Sequence, residues 1–218
     1  MRRKNGKELS QIVKRLRALY PLDAFRRSDP FRVLVSTILS QRTSDKITYP
    51  TAEKLFATFP DAQSLANAPL AKIMEIIRPV NYYKTKAARI REIAQIVVKD
   101  FGEKVPRSKK KTCDLPGVGP KTANCVLVFG FGVPAIPVDT HVHRISNRIG
   151  LLHTKEPEQT EAALKKAVPR RYWIEINELL VRHGQEICKP VKPECAMCPI
   201  REMCDYGGKL GRKTTQHF

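Results

Sequence analysis

Apolar residues recur at helical spacing along almost all of this chain, and no stretch of any length alternates apolar with polar as a half-buried strand would. That pattern predicts an all-α fold. Leu9, Ile12, Val13, Leu16 and Leu19 make one stripe, which ends at Tyr20-Pro21. Phe31 to Leu39 is dense enough to be a buried helix, and Leu55 and Phe56 give the inner side of the next, closed by Phe59-Pro60. Segments 70–77, 87–98, 139–149, 156–168 and 171–182 repeat the i, i+3, i+4 spacing, with breakers at Pro60, Pro69, Pro79, Gly102 and Pro106 between the earlier ones. Pro134 and Pro137 bracket a short extended stretch suited to a domain crossing. The expected layout is a middle domain over 22–133 and a discontinuous one from 1–21 with 134–218. At 218 residues the chain can bury two such cores.

Charge narrows the partner. Forty Lys and Arg against 21 Asp and Glu give a formal net charge of +19. An excess of that size favours a polyanion, because each phosphate contact releases a condensed counterion. No segment reaches the ~18 apolar residues of a membrane span. The N-terminal MRRKNGKELS is basic but lacks the apolar stretch of a secretory signal. An intracellular, reducing compartment is therefore expected, the cytoplasm and nucleoid if the source is prokaryotic.

In such a compartment cysteines bind metal more often than they pair. Cys188, Cys195, Cys198 and Cys204 follow the spacing C-x6-C-x2-C-x5-C. Structural zinc usually draws on two close ligand pairs, and here only Cys195 and Cys198 form one. A [4Fe-4S] cube takes four separated thiolates from one loop, which this spacing supplies. From spacing, a cluster leads, with zinc, and then disulfides or unpaired thiols, as the alternatives.

Leu115-Pro116-Gly117-Val118-Gly119 reads as a tight turn before a helix that opens at Pro120. Alone it is a sharp helix–helix turn. Beside Lys109-Lys110-Lys111 and the overall charge, its backbone N–H groups become a phosphate cradle. Lys121 follows in the first helical turn. There the macrodipole and the neighbouring Val118, Ala123 and Val126 disfavour an ammonium, which suits an amine nucleophile. Asp139, in Val138-Asp139-Thr140-His141-Val142, reads either as a helix N-cap or as a carboxylate that stabilises a cation and relays protons.

These segments resemble a known family. The run from Leu115 to Asn124, the Val138–Val142 segment with Asn147-Arg148, and the cysteine loop occur in the order found in endonuclease III, a helix-hairpin-helix DNA glycosylase with an iron–sulfur cluster. The similarity runs from about Phe31 to Cys204. It implies a six-helix barrel domain and an iron–sulfur domain flanking a DNA-binding cleft. It also implies a bifunctional glycosylase and β-lyase of base excision repair that removes oxidised pyrimidines and cleaves 3′ to abasic sites. The partner would be double-stranded DNA carrying damaged bases or abasic sites, met by a monomer. The family's catalytic lysine falls on Lys121, its aspartate on Asp139, and its [4Fe-4S] ligands on Cys188, Cys195, Cys198 and Cys204. The hairpin backbone at Leu115, Gly117, Val118 and Gly119 would hold DNA, with Lys192 and its neighbour Lys189 on the cluster loop. The family fills the gap left by a flipped base from the turn that here reads Gln41-Arg42-Thr43-Ser44-Asp45. Counting back from Asp45 puts Arg42 on the usual glutamine position, and either Gln41 or Arg42 could insert. Tyr82 lies in a loop the family directs at the opposite strand.

Two features depart from the family. The segment Arg107–Asp114 is basic where relatives are apolar and acidic, which predicts a weak helix there. Cys113 and Cys125 are surplus to the cluster; Cys125 reads as core, and His141 and His143 as packing or capping groups. Competing readings are a monofunctional glycosylase for mismatched thymine, uracil or adenine, which Lys121 argues against, a non-catalytic DNA-binding iron–sulfur protein, and a small electron carrier.

Overall fold

The structure, a computed structural model, describes residues 4, 6–22 and 28–208, and among these it holds α-helices, short 3-10 turns and no strand. The α-helices are α1 (Gly6–Leu19), α2 (Pro30–Ser40), α3 (Asp45–Thr58), α4 (Ala62–Ala66), α5 (Leu70–Ile76), α6 (Tyr83–Phe101), α7 (Lys109–Cys113), α8 (Pro120–Cys125), α9 (Thr140–Ile149), α10 (Pro157–Ala167) and α11 (Ile176–Glu186). The chain separates into two compact units, Met1–Phe25 with Pro134–Phe218 and Arg26–Val133.

In the Arg26–Val133 unit the core is built on α2 and α6. Asp29 caps α2 by accepting from the N–H groups of Phe31 and Arg32 at 2.9 and 3.0 Å, with Pro30 pre-set in the first turn. Leu34, Val35, Ile38 and Leu39 then point inward against Leu55 and Phe56 of α3 and Ile90, Ile93 and Val97 of α6. The basic 107–114 segment forms only the five-residue α7, as its composition predicts. Beyond α8 the chain widens into a π turn, Val126–Gly130, which packs on α2. Gly130 is there because a Cβ would sit 2.9 Å from the backbone of Pro30.

The other unit joins α1 to α9, α10 and α11. Leu9, Ile12 and Leu16 of α1 bury with Ile145 and Ile149 of α9, Leu164 of α10, and Leu179 and Leu180 of α11. The predicted helix over 171–182 is broken in the structure: a 3-10 turn at Arg170–Tyr172 precedes α11, which starts at Ile176. Among the described residues no helix is long and apolar enough to cross a membrane.

Candidate nucleic-acid interface and metal centre

The hairpin consists of α7, the turn 114–119 and α8. Gly117 takes φ +68°, the left-handed region that favours glycine, with the far end of the Arg89 side chain lying over it. Gly119 is different. Its φ is −91°, which any residue adopts, and the space where a Cβ would stand is open. What its missing side chain provides is close approach to the start of α8. The first backbone bond of that helix runs from Ala123 N–H to Gly119 O at 3.0 Å, so the N–H groups of Lys121 and Thr122 precede it and face outward along the axis. Leu115 and Val118 are buried in the core, so only their backbone can meet a ligand. Lys121 is half-buried in the first turn of α8.

The turn after α2 lies against this hairpin, because Gln41 Nε2 donates to Gly117 O at 3.3 Å. Gln41 is thereby held, whereas Arg42 is exposed at the tip with φ +56°. Its guanidinium sits 5.4 Å above the ring of Tyr82, which is 60 % exposed and also left-handed at φ +58°. Two non-glycine residues in that region, stacked on one another in the open, are a concentration of backbone strain of the kind functional sites retain. Asn81 ties the two segments: its Nδ2 donates to Arg42 O at 2.5 Å and its N–H to Thr43 Oγ1 at 3.2 Å.

In the other unit Asp139 is the N-cap of α9, accepting from Val142 N–H at 2.8 Å through Oδ1. Capping leaves Oδ2 and the carboxylate charge for other work. His143 bonds Thr160 Oγ1 at 2.7 Å and His141 lies 3.1 Å from the Arg144 guanidinium, so both are packing groups, as expected. Cys125 is buried in the core and Cys113 is half-buried.

Cys188, Cys195, Cys198 and Cys204 line one cavity together with Ile145 and Arg148. All four are free thiols. Among the described residues no three His, Cys, Asp or Glu side chains close on a single point as one ion would need. Burial raises the thiol of Cys198 to about 11 and pushes Cys195 and Cys204 upward too. The loop is shaped by α9. Arg148 donates to Lys189 O and Pro190 O, both at 2.7 Å, and lies 3.5 Å from Cys188 Sγ; Arg144 donates to Cys188 O at 2.9 Å. His183, buried between Tyr20 Oη at 3.3 Å and Cys198 Sγ at 3.5 Å, is driven down to about 4 by burial and stays neutral. Lys192 stands exposed at φ +50°, while Lys189 pairs with Glu194 at 2.6 Å.

Sequence reasoning gave no role to Arg144, Arg148, His183, Asn81 and Lys86, although Arg148 lies in one of the motifs it used. For Lys86 a signal exists: it lies on the stripe Lys86, Ile90, Ile93 and Val97, whose other members are apolar and buried. A lysine in register with a buried stripe has to find acceptors inside the fold.

The chain is similar to known proteins in family, in sequence and in fold. The family model described as HhH-GPD superfamily base excision DNA repair protein matches residues 35–170. Endonuclease III of Thermotoga maritima is 46% identical over 202 residues, covering 93% of this chain and 92% of that protein. Among solved structures, a trapped endonuclease III–DNA covalent intermediate with an estranged adenine aligns at a TM-score of 0.85 and 29% identity, over 94% of this chain and 98% of the other. A thermostable thymine-DNA glycosylase aligns at 0.82 and 28%, over 93% and 98%.

Proposed function

The chain belongs to the endonuclease III family, the DNA glycosylases and abasic-site lyases of base excision repair, and from that premise we propose that Lys121 is its nucleophile and oxidised pyrimidines are its substrates. The observation that carries this is an amine in the first turn of α8, next to the open backbone of Gly119 and the hairpin's unpaired N–H groups. A damaged nucleotide turned out of the duplex, at a cost of a few kcal/mol, would present C1′ to Nζ while the flanking phosphates rest on the hairpin backbone. The amine attacks C1′ as the bond to the base breaks and the base leaves with a proton; the C1′–O4′ bond of the resulting aminal then opens, O4′ taking a proton, to give the imine. Loss of a C2′ proton then expels the 3′ phosphate. Asp139, oriented by the N–H of Val142, stabilises the cation on the sugar and receives the proton of the attacking amine.

The unit Arg26–Val133 is then the six-helix barrel with the hairpin, and the unit built from both ends carries the cluster. Four free thiols spread around one cavity suit a [4Fe-4S] cluster held by Cys188, Cys195, Cys198 and Cys204. Cys188, Cys195, Cys198 and Cys204 would hold the cluster as thiolates, and a cluster bound there would supply the positive charge that keeps them deprotonated and would order the loop bearing Lys192. Arg42, the freer of the two candidate residues, fills the gap left by the flipped base, with Tyr82 against the opposite strand. The enzyme acts as a monomer on duplex DNA, in the cytoplasm or nucleoid.

A second reading has support in the likeness to a thymine-DNA glycosylase: excision without strand cleavage. One experiment separates the two. The protein is incubated with a duplex bearing a single thymine glycol and then with borohydride. The expected result is a covalent adduct that Lys121→Ala abolishes; an alkali-labile duplex without adduct means a monofunctional enzyme.

A further inference from the structure

Lys86 is 3 % exposed, in the first turn of α6, where the helix dipole opposes a cation. Its position is set by the turn above it. Nζ donates to Leu39 O at 2.8 Å, to Gln41 O at 2.5 Å and to Thr43 Oγ1 at 3.3 Å. An ammonium has three protons, and all three are used. Two of the acceptors are carbonyls at the C-terminal end of α2, which helix geometry leaves without internal donors. Lys86 is therefore a side-chain cap on α2, reaching from another helix.

Among the described residues the charged group that acts on it is Arg89, of like sign; the faces presented by α2 and the turn are neutral. Burial, with Arg89 adding to it, lowers the amine from 10.5 to about 8. A lysine so shifted invites a nucleophilic role. Geometry removes that possibility, since the amine lies under the turn with every proton engaged. The residue it governs is Arg42, which follows Gln41 and precedes Thr43, and whose left-handed backbone has to be held from below.

We propose that Lys86 is a positioning residue for lesion recognition: its three hydrogen bonds fix the 41–43 turn so that Arg42, stacked on Tyr82, is presented ready to enter the duplex. The proposal rests on the gap-filling role given to Arg42 above, and the test separates the two. Binding is measured to a duplex with a tetrahydrofuran abasic analogue and to the same duplex undamaged, for wild type, Lys86→Met, Arg42→Ala and the double variant. The readout needs neither Lys121 chemistry nor a known lesion.

Wild type should prefer the abasic analogue. Lys86→Met should lose about tenfold of that preference, with affinity for undamaged duplex unchanged within about twofold. The double variant should be no worse than Arg42→Ala, because residues that act through one another are not additive. Lys86→Arg, which keeps a cation and its donors, should recover part of the loss. If Lys86→Met does not fold, Asn81→Ala serves instead: Asn81 is exposed and removes the other tie on the turn. Equal loss on both duplexes, or additive loss in the double variant, overturns the role of Lys86 alone. No preference in wild type overturns the gap-filling turn and this inference with it, while borohydride trapping reports on Lys121 separately.

Discussion

The turn at 41–43 and the loop at 188–204 are both assigned to DNA, yet they are held in opposite ways. The turn is completed by the protein's own donors: Lys86 beneath it, Asn81 beside it, and Gln41 reaching to the hairpin. The loop is gripped from one side by Arg144 and Arg148, and its other side faces a cavity lined by four free thiols. The first region needs only folding to reach its working shape. The second, on the function proposed above, is completed by the cluster as well. Recognition of the lesion and grip on the flanking duplex should therefore fail independently.

The largest test of that contrast is Cys198→Ser. It should strip the iron and lower the melting temperature by ~10 °C or more, since metal affinity in such sites is folding free energy. Limited proteolysis should then cut within 188–204, while hydrogen exchange in α2 and α6 stays protected. Loss of protection in both units together would mean that they are not independent. Iron and acid-labile sulfide in the untreated protein should come to about four of each per chain.

Arg148→Ala should do less. Two charge-assisted bonds to Lys189 O and Pro190 O disappear, worth roughly 1–3 kcal/mol in all. Iron should be retained, and the melting temperature should fall by a few degrees. DNA binding should weaken equally for damaged and undamaged duplex. A change in preference between the two would place the loop in recognition and break the comparison.

The smallest effect belongs to pH. The folded amine of Lys86 sits near 8 and its ordinary value is 10.5. Between those values the unfolded chain binds more protons than the folded one, so this residue makes stability rise with pH through that window. The penalty of the buried charge is fully present below about pH 8 and is gone above about 10.5. Chemical denaturation at several pH values should show wild type gaining on Lys86→Met across the window. A flat difference would mean that the amine is not desolvated as its position requires.

What could be read from sequence was whatever depends on neighbours along the chain. Helix spacing gave the stripes of α1, α2 and α6, the prolines gave their ends, and the glycines and cysteines marked the hairpin and the loop. The π turn at Val126–Gly130 was not legible, because its apolar residues read as a plain continuation of α8 and its packing on α2 lies far off in sequence. The break at Tyr172–Ile176 was missed because the apolar spacing runs straight through it. The choice between Gln41 and Arg42 could not be made from counting. The proposal of Arg42 rests on a carbonyl contributed by Gly117, 76 residues away, which holds the Gln41 side chain while Arg42 stays exposed. Lys86 is the clearest case: composition sees one more basic residue, and only the tertiary fold supplies the three oxygens above it.

The central claim is that Lys121 performs the chemistry, and peptide mapping of the borohydride-reduced protein–DNA adduct tests it most directly. The account predicts a single modified peptide carrying the sugar remnant on Lys121, and none from Lys121→Ala. An adduct on any other amine, or excision that proceeds undiminished in Lys121→Ala, would contradict it.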